Sequence, residues 1–299
     1  MSYRELYCSK STGFLNLNIS YNDAEFIVLG VPLDSTSSYI PGARFGPDSI
    51  RRASINIETY DYTTGFDVRE SKLADIGDID VDYSSIDLTL DKITKVLSEI
   101  LTDRKKPIIL GGEHTITLGV CRAVKPQMMI CFDAHLDLRE EYAGARISHA
   151  TFMRRVFEEG IVEKTLFIGT RAVSREESKF MKKISGHRVI TAKEVYEKDS
   201  PSIIKIIEEE ISSYPHVYIS IDMDVLEPAV APSVGNPEPG GLSYNFVSEV
   251  IEKLDGVLIG VDLTEVTPLY NIDITSIYAA KLIFKAISSM SKSKTRIRR

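Results

Sequence analysis

Short, unbroken apolar runs alternate along the chain with longer stretches whose apolar positions recur every three or four residues. The runs lie at Phe26–Val31, Pro107–Leu110, Met128–Phe132, Thr165–Ile168, Val217–Ile221 and Val257–Val261 and are rich in Ile and Val. Continuous apolarity over so few residues predicts strands covered on both faces. Between them, residues 87–103 place Leu90, Ile93, Leu97 and Ile100 on one helical face. Residues 201–213 open on Pro201 and align Ile203, Ile204, Ile207 and Ile211, and residues 243–254 and 274–290 carry the same period. Strand and helix alternating in this order predict an α/β fold, a mainly parallel sheet with helices on both sides. No repeat, low-complexity block or linker interrupts the pattern, so residues 1–299 read as one domain. Two Gly/Pro-rich segments, 41–47 and 227–242, read as loops over the C-terminal edge of the sheet, where open parallel sheets bind ligands.

Composition narrows the function classes. The chain has 299 residues, 43% hydrophobic and 26% charged, an ordinary globular balance able to bury a large core. A net charge of −7 argues against a general nucleic-acid binder and suits small cationic partners. The basic segment 292–299 is expected to be a solvated, frayed tail. No apolar run is long enough to span a membrane, and the N-terminus has no secretory h-region. Three cysteines, Cys8, Cys121 and Cys131, form no paired framework, and the latter two sit among apolar residues as buried thiols would. These features predict a cytoplasmic protein. His187 and His216 read as surface positions.

Three segments carry candidate chemistry. Cys131-Phe-Asp133-Ala-His135-Leu-Asp137 leaves an apolar strand with polar groups at every second position, which would share one face of an extended strand. Ser220-Ile-Asp222-Met-Asp224 repeats the pattern, and Leu110-Gly-Gly-Glu113-His114 ends a strand in a tight turn that presents an imidazole. Each alone has a bland explanation as a cap or a structural histidine. Together, all at predicted strand C-termini, they would converge. Buried carboxylates without partners are costly, and a divalent cation is the natural partner. Asp133, Asp137, Asp222 and Asp224 carry four negative charges, which two dications neutralise, whereas one ion would leave like charges crowded. Four carboxylates with His114 and His135 are mostly hard donors, which suit Mn²⁺ better than the thiolate-rich sites of structural Zn²⁺.

With these motifs the chain resembles the ureohydrolase family of arginases and agmatinases, nearest the agmatinase branch. The matching stretches are Gly30–Asp34, Pro41–Pro47, Gly111–His114, Asp133–Asp137, Ser148–Phe152, Ser220–Asp224 and Asp262–Glu265, in family order. One departure is Ala150, where many members have Gly. The resemblance implies a three-layer αβα fold and a binuclear Mn²⁺ centre. His114, Asp133, Asp137 and Asp222 would hold one ion and Asp133, His135, Asp222 and Asp224 the other, with Asp133 and Asp222 shared. It further implies that His149 shuttles protons, that Glu265 faces the substrate guanidinium, and that the protein assembles as a trimer or hexamer. In that chemistry Asp137 would pass a proton to the departing amine.

The expected reaction is hydrolysis of a guanidino group with release of urea. The loop 138–147 lacks the Ser/Asn character expected for arginine recognition, and Glu140 or Glu141 could receive a distal ammonium. Agmatine, giving putrescine, is therefore the expected substrate, with aminopropylagmatine, arginine, or guanidinobutyrate if Arg139 or Arg146 faces the channel, as alternatives. A zinc deacetylase of the same superfold would need a His-His pair, which is absent. A non-catalytic metal-stabilised scaffold would be expected to have lost a ligand or Glu265, and all are present.

Overall fold

The structure is a computed structural model and describes residues 2–9, 12–270 and 273–292. All six expected strands form. β2 (Phe26–Val31) and β7 (Met128–Phe132) have the expected bounds, β6 (Lys106–Gly111), β8 (Lys164–Thr170) and β10 (Val217–Asp222) extend beyond theirs, and β11 (Leu258–Thr264) omits Val257 and runs on past Val261. Every residue of β2, β7 and β10 is buried, as the unbroken apolar runs require.

Five further strands were not legible in the pattern. β1 (Cys8–Ser9) and the hairpin β3 (Tyr60–Asp61) and β4 (Phe66–Asp67) are two residues each. β9 (His187–Thr191) is a half-exposed edge strand. β5 (Leu73–Ile79) contains Asp75 and Asp78, which break its apolar run. Both carboxylates pair with the buried Arg51, which comes from an earlier helix.

The main sheet has the order β1-β5-β2-β6-β11-β10-β7-β8-β9. Every neighbouring pair is parallel except β1 with β5. Among the described residues the α-helices are α1 (Tyr3–Tyr7), α2 (Gly46–Ile55), α3 (Ile86–Thr102), α4 (Ile116–Val124), α5 (Phe152–Glu158), α6 (Arg175–Met181), α7 (Ala192–Glu197), α8 (Ser200–Ile211), α9 (Tyr244–Lys253) and α10 (Ile274–Lys292). The four helices expected from periodicity are α3, α8, α9 and α10. α10 runs to Lys292, so the expected frayed tail is otherwise outside the described residues.

Alternate strand residues feed two apolar layers. Val28, Ile108, Ile130 and Ile219 pack with residues of α2, α8, α9 and α10. Ile27, Ile109, Met129 and Tyr218 pack with residues of α3, α4 and α5. The result is the three-layer α/β arrangement. Among the described residues no helix is long and apolar enough to cross a membrane.

The strand order decides where chemistry can occur. β6, β11, β10 and β7 are adjacent and parallel, so their C-terminal ends open on one edge. Those four ends carry the His114, Glu265, Asp222 and Asp133 segments.

Candidate metal centre and active site

The β6 end is shaped by Gly112. A side-chain carbon there would collide with the Leu33 backbone. Its absence lets Gly112 N–H bond Val31 O at 2.8 Å and Glu113 N–H bond Leu33 O at 2.6 Å. The chain then turns His114 inward, with its ring tilted against Phe152 at 4.4 Å between centroids.

The tautomer of His114 follows from its support. Ser220 Oγ donates to Asp262 Oδ1 at 2.6 Å, and Thr117 Oγ1 donates to the same oxygen at 3.0 Å. Ser220 Oγ therefore accepts from His114 Nε2–H, 2.9 Å away. That leaves Nδ1 with its lone pair directed at Asp133, Asp222 and Asp137 oxygens, 3.0, 3.3 and 3.4 Å away. This nitrogen is fully buried and has no hydrogen-bond partner. A lone pair facing three carboxylates needs a positive charge between them, so the residues fit a divalent cation. Without one, a proton takes its place. Burial opposes charging His114, but the Asp133, Asp137 and Asp222 carboxylates outweigh it and hold the imidazole well above its usual range.

Asp133 serves both halves of the cluster. His135 Nδ1 lies 3.0 Å from Asp224 Oδ2 and 3.5 Å from Asp133 Oδ1. Asp133 is held below the usual carboxylate range because the two imidazoles overcome the effect of burial. Burial and then the neighbouring Asp133 push Asp137 up to about 8. Burial, Asp224 and Asp133 raise Asp222 well above its ordinary value. Crowded like charges accept protons when no cation neutralises them.

The structure corrects how these residues meet. β7 stops at Phe132, so Asp133, His135 and Asp137 do not alternate on a strand. Asp133 Oδ1 accepts from the His135 backbone N–H at 2.6 Å, bending the segment. Asp137 then enters through left-handed backbone, φ 54°. Asp222 ends β10 and accepts from Asp224 N–H at 2.8 Å, which starts the turn that brings Asp224 back toward His135.

Glu265 also has left-handed backbone, φ 63°, and is buried. Its Oε1 accepts from His114 N–H at 2.7 Å. A side-chain carbon at Gly235 would lie 2.9 Å from Oε2, so that glycine leaves the second oxygen open. Burial pushes this carboxyl up to about 8.

His149 has different neighbours from those expected. Instead Nδ1 lies 3.2 Å from Thr36 Oγ1, Nε2 lies 3.2 Å from Ser38 Oγ, and Tyr142 meets the ring edge-on. Thr36 is fixed by the buried Glu113, to which its N–H and Oγ1 both donate at 2.6 Å. Burial lowers His149 to about 4, so the ring is neutral near pH 7.

These groups open on a cavity of about 270 Å³, lined by five of the six expected ligands together with Glu265 and His149. Asp133, the sixth, lies beneath it against His114. Among the more exposed lining residues are Tyr39, Arg139, Tyr142 and Glu238. The expectation for Glu140 and Glu141 is overturned. Neither lines the cavity: Glu140 pairs with Arg154 at 3.4 Å and Glu141 is exposed. Arg146 turns away as well, to Glu158 at 3.3 Å. His216 is exposed as expected, whereas His187 is half-buried at the start of β9.

Sequence reasoning passed over several supports. Asp262 and Ser220 stood inside quoted motifs, but only strand pairing shows that they back His114. Asp34, in another such motif, accepts from Gly42 N–H at 3.1 Å and Arg44 Nε at 2.6 Å, folding the segment over the cavity. Arg171 gave no signal at all. Its guanidinium donates to Asp224 O at 2.6 Å and Glu238 O at 2.7 Å, clamping two site loops together. Because the Ser220–Asp262 link fixes His114, Ser220→Ala is expected to weaken divalent-ion binding by roughly 10–100-fold. Titration of the metal-free protein with Mn²⁺ reads this, and equal affinity would show that the link does not set the ligand.

The arginase-family profile matches residues 24–288. The chain belongs to the arginase family. Members of this family hydrolyse amidino carbon–nitrogen bonds. This arginase-family chain is 38% identical over 293 residues to an agmatinase of Pyrococcus horikoshii, covering 96% of this chain and 99% of that one. It is 40% identical over 274 residues to an N(1)-aminopropylagmatine ureohydrolase of Thermococcus kodakarensis, covering 90% and 92%. Its fold is similar to the crystal structure of agmatine ureohydrolase of Thermoplasma volcanium, with a TM-score of 0.87 and 36% identity over 96% of this chain and 97% of that one.

Proposed function

We propose that this chain hydrolyses the guanidino group of a small cationic amine, agmatine first among them, to release urea and putrescine. The observation that carries the reading is the placement of Glu265, with one carboxylate oxygen open, in the cavity lined by five of the six expected ligands. His114, Asp133, Asp137 and Asp222 would hold one Mn²⁺ ion, and Asp133, His135, Asp222 and Asp224 the other. When bound, the ions supply Lewis acidity, which makes water acidic enough to react near neutral pH.

The remaining chemistry belongs to the side chains. The Glu265 carboxylate accepts guanidinium N–H groups and fixes the orientation of the planar cation. Asp137 would pass a proton to the departing amine. His149, neutral and bonded to two hydroxyls, would exchange protons with solvent through Ser38. Glu238, on the cavity wall, supplies a carboxylate for a distal ammonium in the role expected of Glu140 or Glu141.

A second reading is favoured by Arg139. This residue lines the cavity with its guanidinium over the Tyr142 ring at 5.2 Å. A cation there suits a substrate with a carboxylate tail, such as guanidinobutyrate. The test is urea release by the Mn²⁺-loaded protein from agmatine, aminopropylagmatine, guanidinobutyrate and arginine, before and after Arg139→Gln. Highest kcat/KM on agmatine, kept in the variant, supports the first reading. Highest kcat/KM on guanidinobutyrate, falling about tenfold or more in the variant, supports the second. No urea from any of them overturns both.

A further inference from the structure

The two halves of the cluster are chemically unequal. The floor beneath His114 is a row across three neighbouring strands: Cys131 on β7, Ser220 on β10 and Asp262 on β11 are register partners. Register partners project to one face. Ser220 and Asp262 are engaged with His114 Nε2 as described. Cys131 Sγ, a ring nitrogen of His114 and a carboxylate oxygen of Asp133 all lie within 4.8 Å of one another. Each of the three residues is 1% exposed, and Nδ1 has no hydrogen-bond partner. The other half, Asp133, His135 and Asp224, is gathered within the same distance and has no sulfur.

We propose that His114, Cys131 and Asp133 form a thiophilic binding mode, in which a soft or borderline dication such as Cd²⁺ or Zn²⁺ is held through sulfur, nitrogen and oxygen. This rests on the reading of the cluster as a metal centre. A set of one thiolate, one imidazole and one carboxylate suits ions that prefer sulfur and four-coordinate geometry, whereas hard ions favour the carboxylates. As the sulfur–metal bond forms, the thiol proton leaves to solvent and no electron is transferred. The structure therefore assigns to this chain a place where thiophilic metals compete with the working ion at one of two sites only.

The test uses protein stripped of metal by chelation and titrated with Co²⁺ and, separately, Cd²⁺. Wild type is expected to develop a sulfur-to-cobalt charge-transfer band in the near ultraviolet that saturates at one equivalent. The band should persist in Cys8→Ser, which removes a thiol elsewhere, and vanish in Cys131→Ser. Cd²⁺ affinity should fall about tenfold or more in Cys131→Ser, while Mn²⁺ affinity changes far less. Cys131→Val repeats the measurement should the serine hydroxyl disturb the buried strand, and the wild-type spectrum stands without either variant. Co²⁺ binding with no sulfur band, or a band that survives loss of Cys131, overturns the proposal while leaving the metal centre intact. Absence of any Co²⁺, Cd²⁺ or Mn²⁺ binding overturns the metal centre itself.

Discussion

Asp133→Asn is expected to reduce urea release by roughly a thousandfold or more, since removing a ligand forfeits several kcal/mol of metal-derived transition-state stabilisation. Asp133 is singled out because it belongs to both groups of potential ligands, whereas His114 and His135 each belong to one. One of its oxygens lies 3.0 Å from His114 Nδ1 and the other 3.5 Å from His135 Nδ1. Asparagine keeps the shape, and its Oδ1 can still accept from His135 N–H as the carboxylate does at 2.6 Å. The substitution therefore removes charge with little change in geometry. Elemental analysis of the Mn²⁺-loaded variant should show fewer ions per chain than wild type, and circular dichroism should show the same fold. Activity within tenfold of wild type at saturating Mn²⁺ would falsify the shared role of Asp133.

The second large effect concerns stability and lies away from the cavity. Arg51 on α2 is fully buried. Its guanidinium holds Asp75 through Nε at 2.8 Å and Nη2 at 3.0 Å, Asp78 through Nη1 at 2.5 Å, and the Gly77 carbonyl at 3.0 Å. Arg51→Met fills much of the volume but leaves Asp75 buried without its counter-charge. The expected cost is about 3–5 kcal/mol, a fall in Tm on the order of 10 °C for a chain of this size. Adding Asp75→Asn should recover part of the loss, because removing both charged partners is cheaper than orphaning one. Exposed pairs such as Arg52–Asp48 are expected to contribute less than about 1 kcal/mol each. Thermal unfolding monitored by circular dichroism measures all three, and a Tm change below about 2 °C for Arg51→Met would show that the buried ion pair is not what holds α2 to β5.

The same two regions mark the boundary between what is readable along the chain and what is not. Apolar runs report their own burial, so β2, β6, β7, β8, β10 and β11 were legible with small errors at their ends. β5 was not, because Asp75 and Asp78 look like surface residues until Arg51 is known to lie against them. That these six residues cluster was legible because they stand at the ends of apolar runs in a pattern that a cation would reconcile. How they meet was not legible: strand alternation predicts one shared face, whereas the chain bends after Phe132 and passes Asp137 through left-handed backbone.

The sequence by itself determined six strands of the main sheet and four of the helices, the parallel character of the sheet, the family resemblance and the residues of the cluster. These are encoded in local periodicity, in short motifs and in the charge they concentrate. Tertiary structure alone decided that β11 and β10 lie between β6 and β7, and that Ser220 and Asp262 back His114 with Cys131 beside them. It alone placed Arg139 in the cavity and turned Glu140 and Glu141 out of it. The physical reason is that period and composition describe which side of its own element a residue faces. Which distant residue it meets there depends on the pairing of non-consecutive strands and on single turns, and one left-handed residue can redirect a side chain without leaving a trace in the pattern.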